Sequence, residues 1–495
     1  MISIATLYTD LSASMGALRA DHSRVIRSRA LLDEAVASGG VHYGVNTGFG
    51  KLASKRIPAE QLRTLQRNIL LSHAVGVGRP VPREIARLML QLKIQALGLG
   101  YSGVSGTTFR MLLEMESADL IPYIPCKGSV GASGDLAPLA HLALPLLGEG
   151  AFLGEDDQAL PAGPVLAAAG LAPIELQAKD GIALLNGTQL MTAYGAFILN
   201  RAKALARLAD LIGTMSLEAL QGSATPFDER IHAVRPHPGQ VLVAGNVRKL
   251  LEGSEILESH RNCGKVQDPY CLRCMPQVHG ASRDAFSHAT RVLETEMNAV
   301  TDNPLVFEPG DIVSGGNFHG QPVALVLDFA AIALAELASI SERRVYLLLE
   351  GHDGLPTLLM KETGLNSGFM IPQYTAAALV SENKILAHPA SVDSIPTSLG
   401  QEDHVSMGAT AAVKLLQVLD NVEHVMAIEL ITAAQALDYR KPLRPGAGVA
   451  HAHKLIRERI PHREADYYFQ EDLTPAIEMI RSTELVDTVS HFLDA

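Results

Sequence analysis

Residues 128–138 read Gly-Ser-Val-Gly-Ala-Ser-Gly-Asp-Leu-Ala-Pro, and the run has two readings. Without chemistry it is a glycine-rich turn before a helix, with Asp135 as the N-cap. With chemistry it is an electrophile in waiting. In Ala132-Ser133-Gly134 a tight turn can bring the Gly134 amide nitrogen onto the Ala132 carbonyl carbon, because glycine has no Cβ to block the approach. Loss of one water closes a five-membered ring. Loss of a second, from the Ser133 hydroxyl, leaves an exocyclic methylidene, a strong electrophile of a kind no ordinary side chain supplies.

Other runs that look chemical carry less. Gly98-Leu-Gly-Tyr-Ser-Gly103 fits the dinucleotide pattern but follows a helical segment instead of a strand, so the context that gives the pattern meaning is absent. Gly44 to Lys51 is one residue too long for a P-loop, and Leu52 stands where a Mg²⁺-binding hydroxyl belongs. The cysteines are Cys126, Cys263, Cys271 and Cys274; the C-x-x-C pair has no second pair at zinc-ribbon spacing, so solitary thiols are expected. His451-x-His453 is the kind of spacing that 18 histidines produce by chance. No H-E-x-x-H or G-x-S-x-G run occurs, which removes the familiar zinc-protease and serine-hydrolase readings. No metal is expected.

The turn needs a scaffold, and the periodicity supplies helices. Val25, Leu32 and Val36 repeat on one face of a segment that starts near Asp21 or Ser23 and stops at Gly39-Gly40. Leu62, Leu65 and Ile69 repeat the pattern, with His73 on the face of Ile69, and Ile85, Leu88 and Leu92 form another stripe within 83–97. Longer helical segments are expected at about 281–300, 322–349 and 405–438. The last two are apolar almost all round, as helices buried in a bundle are. Strand patterns are limited to pieces such as Leu305-Val306-Phe307 and Ile312-Val313. The expected fold class is mainly α, a long-helix bundle core with a loop-rich catalytic region; the loops are 43–50, 126–138, 261–280, 301–321 and 394–404. The expected division is 1–200, carrying the reactive turn, and 201–495, the bundle and C-terminal helices.

The 495 residues are 47% hydrophobic and 19% charged, a globular composition of a size that suggests two to four domains. The formal net charge of −12 and the absence of a basic run longer than three residues argue against nucleic acid and against an acidic membrane surface. The N-terminal run does not read as a signal peptide. The apolar stretch 322–340 carries Asp328 and Glu336, which suits a core helix better than lipid. A cytoplasmic protein is expected.

The run Gly128 to His141 matches, without a break, the signature G-[ST]-V-G-A-S-G-D-L-x-P-L-A-H, and on it the chain resembles the aromatic amino acid ammonia-lyase and aminomutase family. Six further blocks occur in family order: Tyr43 to Gly50, Leu184 to Gln189, Gln267 to Gln277, Thr301 to Leu305, Gly315 to His319 and Gln401 to Ser406. The resemblance implies a 4-methylideneimidazole-5-one made from Ala132-Ser133-Gly134 with no external cofactor, a mostly helical homotetramer, and active sites assembled from three subunits. Members acting on tyrosine or phenylalanine carry His-Leu or Phe-Leu where this chain has Ser72-His73, and an N-Q-D-type run where it has Gln401-Glu402-Asp403-His404. Both places resemble the members that act on histidine.

The resemblance therefore implies non-oxidative elimination of ammonia from L-histidine, giving trans-urocanate. Tyr43 is the expected base for the β-proton, on a glycine-flanked loop, and Arg273 the partner of the substrate carboxylate, since its planar fork matches two oxygens. Asn186, Gln267, Tyr270 and Phe318 are expected to line the ring and the substrate, with Asn186 and Tyr270 tuning the electrophile. His73 and Glu402 can hold or exchange imidazole N–H protons. A phenyl ring would strand them at ~1–3 kcal/mol per buried group. Read without the resemblance, His73 is a helix-face histidine, Glu402 a helix N-terminal carboxylate, Arg273 a surface charge and Phe318 a core ring. The competing functions are a tyrosine or phenylalanine lyase or aminomutase, a non-catalytic helical homologue, which the intact turn, Tyr43 and Arg273 disfavour, and a fumarase-like lyase, whose G-S-S-x-M-P-x-K-x-N run is missing.

Overall fold

A computed structural model describes residues 1–48, 56–261 and 263–494. Phe49 and Gly50 of the expected 43–50 loop, Lys51 and Leu52 of the P-loop-like run, and Asn262 in the 261–280 loop lie outside the described residues. The described chain is mainly α-helical, and its strands form three two-stranded antiparallel ribbons. These pair Val77–Pro80 with Pro125–Lys127, Ala151–Leu153 with Ala159–Pro161, and Leu305–Phe307 with Asp311–Val313.

Two compact units make up the chain. The first comprises Met1–Phe197, Thr290–Asp328 and Pro389–Val413; the second comprises Ile198–Ala289, Phe329–His388 and Lys414–Ala495. The first crossing comes after Phe197. The chain then returns to the first unit at Thr290 and at Pro389, which a linear pattern does not register because each return lies within or beside continuous helical sequence. The helices Gln189–Ala219, Gln321–Leu349 and Gly408–Asp438 contribute residues to both units.

The helices Ser23–Ala37, Leu62–His73 and Arg83–Gly98 occupy the segments that periodicity marks. Gln321–Leu349 fits its expected bounds, and Gly408–Asp438 starts three residues later than expected, because Met407 takes a left-handed φ of 55°. The segment expected at 281–300 starts earlier, as Met275–Met297; Pro276 lies in its first turn, where a missing N–H costs nothing. Gln189–Ala219, 31 residues long, is not singled out by the sequence. By length and composition Gln321–Leu349 would cross a membrane, but 67% of its most apolar window is buried in the fold.

In the first unit, Leu62–His73 packs against Asp180–Leu185 and Leu136–Ala143, and Arg83–Gly98 packs against Gly106–Ser117. Ser105 caps the last of these, its Oγ accepting the Thr108 N–H. In the second unit two groups of buried charges are paired directly. Arg344 donates from Nε and Nη2 to the two carboxylate oxygens of Glu429 at 2.5 and 2.8 Å, and Ser216 Oγ donates to the same carboxylate at 2.6 Å. Asp210 accepts from Arg283 at 2.7 Å and Asn246 at 2.9 Å, and its other oxygen lies 2.9 Å from His279 Nδ1.

Candidate active site

The reactive turn runs beside the segment Asn186-Gly187. Asp135 donates its N–H to the Gly187 carbonyl at 2.7 Å, and Gly187 donates to the Ser133 carbonyl at 3.4 Å. Gly134 has φ +84°, and a Cβ there would lie 2.0 Å from the Gly187 oxygen, so only glycine fits. Ser133, at φ 53°, is held in the left-handed region that side chains avoid. Ala132 is buried. A chain bent back on itself, with no side chain to shield the Gly134 nitrogen, is what ring closure onto the Ala132 carbonyl requires, so these residues fit the methylidene group.

Asp135 corrects one expectation. It precedes the helix Leu136–Ala143 but does not cap it with its side chain. Its Oδ2 accepts the N–H groups of Leu190 at 2.9 Å and Met191 at 3.1 Å, and so caps Gln189–Ala219. A short helix and a long one are thereby tied to the same turn.

A cavity of about 530 Å³ opens over the turn, lined by Tyr43, Asn68, Ser72, His73, Ser133, Leu136, Asn186, Ser398 and Glu402, with Leu65, Ile69 and Ile182 among its apolar walls. His73 ends its helix, and Ser72 Oγ lies 3.0 Å from its Nδ1. Glu402 lies across the site: its Oε1 accepts from Ser133 Oγ at 3.4 Å, over 269 residues of sequence, and its Oε2 from Thr397 Oγ1 at 3.0 Å. It is not a helix N-terminal residue, since the next helix begins at Gly408. Tyr43 stands on a loop braced by its own side chains. Asn46 Oδ1 accepts from His42 N–H at 2.8 Å, and Asn46 Nδ2 donates to the Gly40 carbonyl at 2.7 Å.

Burial sets the protonation of the groups nearby. His73 is held below the ordinary imidazole value by burial, against which the Ile69 carbonyl and the Glu402 charge act. Asp135, fully buried, is pushed up to about 7 by desolvation despite its two backbone donors, and its Oδ1 has no partner among the described residues. Lys93 is pushed down to about 7 by burial, opposed by the charges of Asp302 and Asp135. Lys179 and Asp302 pair at 2.6 Å in the same buried layer.

The structure thus brings Tyr43, His73, Ala132, Ser133, Gly134, Asn186 and Glu402 to one place. It does not bring the other expected residues there. Phe318 is half-buried on a turn and does not line this cavity. Gln267 and Arg273 line a cleft of about 950 Å³ within the second unit, together with His260, Cys263, Lys265 and Cys274. Tyr270 is 70% exposed, with the Arg273 guanidinium 4.6 Å from its ring centre. Three contributors were missed by sequence reasoning: Thr397, which holds Glu402; Asp135 in its role as a remote cap; and Lys93. Only Lys93 left a signal, a lone lysine four residues from Met89 and from Leu97 on an apolar face.

A profile described as aromatic amino acid lyase matches residues 9–458. The histidine ammonia-lyase of Myxococcus xanthus (strain DK1622) is 53% identical over 470 residues, 94% of this chain and 92% of that protein. That of Anaeromyxobacter sp. (strain K) is 56% identical over 464 residues, 92% and 91%. Among solved structures, histidine ammonia-lyase from Trypanosoma cruzi superposes with a TM-score of 0.88 at 44% identity, covering 96% of this chain and 90% of that one. Tyrosine aminomutase from Streptomyces globisporus gives 0.90 at 34% identity, covering 96% and 94%.

Proposed function

The chain belongs to the aromatic amino acid lyase family, and from that premise we propose that it eliminates ammonia from L-histidine to give trans-urocanate. The observation that carries this reading is the meeting of His73 and Glu402 with Ser133 in one cavity, in a chain more than half identical to histidine ammonia-lyases. A proton on the substrate Cβ is weakly acidic and an amine is a poor leaving group, so a plain acid–base pair is insufficient. A 4-methylideneimidazole-5-one formed at residues 132–134 supplies the electrophile that such a pair lacks.

The chain's own groups do the rest. Neutral His73, its proton affinity lowered by burial, and the Glu402 carboxylate receive the two nitrogens of the imidazole, one as donor or acceptor and one as acceptor. Asn186, on the segment that braces the turn, offers a polar group beside the reacting carbon. Tyr43, on the loop lining the same cavity, takes the β-proton. Arg273 binds the substrate carboxylate through its fork, with Tyr270, Gln267 and Phe318 lining the amino-acid end. Because Gln267 and Tyr270 are exposed in the single chain, they suit a contribution to the site of a neighbouring copy in a homotetramer. The phenylalanine reading is disfavoured because a phenyl ring leaves His73 and Glu402 without partners, roughly 30- to 10⁴-fold for two stranded groups at ~1–3 kcal/mol each, and the single hydroxyl of tyrosine does not replace both imidazole nitrogens.

Purified protein given L-histidine, L-tyrosine and L-phenylalanine separately tests the proposal. Urocanate from histidine, with little product from the other two, is the expected result. Comparable turnover of tyrosine and histidine would overturn the substrate assignment. An intact mass about 36 Da below that of the translated chain, two waters, is expected from ring formation.

A further inference from the structure

We propose that Lys93 is a positioning residue for both ring formation and turnover, acting through the main chain of Asn186. The inference rests on the ring-forming reading above. Lys93 sits in the middle of the helix Arg83–Gly98, 1% exposed, among Met89, Leu92, Ile94 and Leu97. A lysine is almost never buried without a partner. Here its Nζ donates to the Asn186 carbonyl at 2.6 Å, a short charge-assisted bond. The Asn186 side chain is held from the other direction, its Nδ2 donating to the Asn303 carbonyl at 2.9 Å. Asn303 follows Asp302, which is fixed in turn by Lys179.

What this clamp controls is the next peptide. Gly187 both accepts from Asp135 N–H and donates to the Ser133 carbonyl, and its oxygen occupies the space that a Cβ on Gly134 would need. The peptide that Lys93 grips, Asn186–Gly187, carries the N–H given to Ser133, and the carbonyl of the peptide that follows it is the wall against which residues 133–135 are bent. Release of that grip lets the wall recede, relaxes the left-handed backbone of Ser133, and turns the Asn186 amide away from the cavity. The charge of Lys93 is not spent on an ion pair: Asp135 and Asp302 are near enough to favour the ammonium, yet neither is its hydrogen-bond partner. A lysine kept only to neutralise a buried carboxylate would contact it directly.

The test uses the full-length protein and two substitutions. Lys93→Met keeps the stem and removes the ammonium; Lys93→Arg keeps the charge but, in a packed site, displaces the donor from the Asn186 oxygen. Three readouts are taken on each: far-ultraviolet circular dichroism for folding, the fraction of chains lighter by two waters, and kcat and KM per matured chain for L-histidine. The expected result is folded protein with a reduced matured fraction and kcat lowered by roughly 10²-fold in Lys93→Met and less in Lys93→Arg, with KM changed little, as misplacement of a catalytic element produces. A purely structural lysine would lower thermal stability and leave the matured fraction and kcat per matured chain unchanged. That outcome in either folded variant overturns the proposal, and Lys93→Arg decides alone if Lys93→Met does not fold. Wild-type protein lacking the two-water loss would instead overturn the ring-forming reading.

Discussion

Two buried clusters in this chain put acidic and basic side chains to opposite ends. In the second unit Arg344 and Glu429 face each other with two parallel hydrogen bonds, and Asp210 is surrounded by Arg283, His279 and Asn246. Burial pushes Asp210 up, but the Arg283 charge and the donors around it more than compensate, and its carboxyl ends below the ordinary value. Under the reactive turn, Lys93 and Asp135 do not touch. Each binds main chain instead, Lys93 the Asn186 carbonyl and Asp135 the first N–H groups of Gln189–Ala219, and burial drives the two toward a shared value of about 7. Charges paired with each other hold helices; charges spent on main chain hold a backbone shape. Under the reactive turn the second arrangement sits where Ser133 is held at φ 53°.

The largest effect is expected at Ser133. Ser133→Ala removes the hydroxyl lost as the second water, so turnover should fall to background and the 36 Da deficit should shrink to about 18 Da or vanish. Circular dichroism should remain that of the wild type, because the turn itself depends on Gly134. Glu429→Ala is the matching blow to the other cluster. It strands Arg344, which is fully buried, and should cost about 3–5 kcal/mol in urea unfolding, while chains that fold keep their two-water loss. Equal loss of maturation in Glu429→Ala would show that the two clusters are not separable in function.

Smaller effects sharpen the picture within the first unit. His73→Leu should lower kcat/KM for L-histidine by roughly 5- to 150-fold, the equivalent of one stranded group at ~1–3 kcal/mol, with the mass deficit intact. The pH dependence of stability is smaller still. Because burial lowers the proton affinity of His73 in the folded state, the unfolded chain binds more protons in the acid range. The stability that neutral His73 contributes is therefore complete above the unfolded value of about 6.5 and is lost as pH falls from there through the lower folded value. Urea titrations at pH 8 and pH 5 should show a slightly larger loss of stability for wild type than for His73→Gln; an equal loss would mean that this imidazole is no less basic when folded.

Much of this molecule is legible along the chain. The helices with a continuous apolar stripe announce themselves, as do the ribbon at Leu305–Phe307 and the demand for glycine at 134. Gln189–Ala219 escaped because its start signal is not local. The residue that caps it, Asp135, lies 55 residues before Leu190, and no window of helical length contains both. Glu402 misleads for the same reason: beside a helix it reads as a dipole partner, yet its carboxylate reaches Ser133 and Thr397.

The sequence by itself determined which atoms are able to react: a small residue, a hydroxyl and a residue without Cβ in consecutive positions, followed by an acid, with imidazole-compatible groups elsewhere in the chain. Covalent order is sufficient for that, since ring closure involves neighbours. Only the tertiary structure decided what bends the turn and what faces it. Those jobs fall to Gly187, Asn186, Lys93, His73 and Glu402, drawn from segments far apart along the chain. Contacts of that range depend on how helices pack, and side-chain packing leaves no period in the sequence for a local pattern to detect.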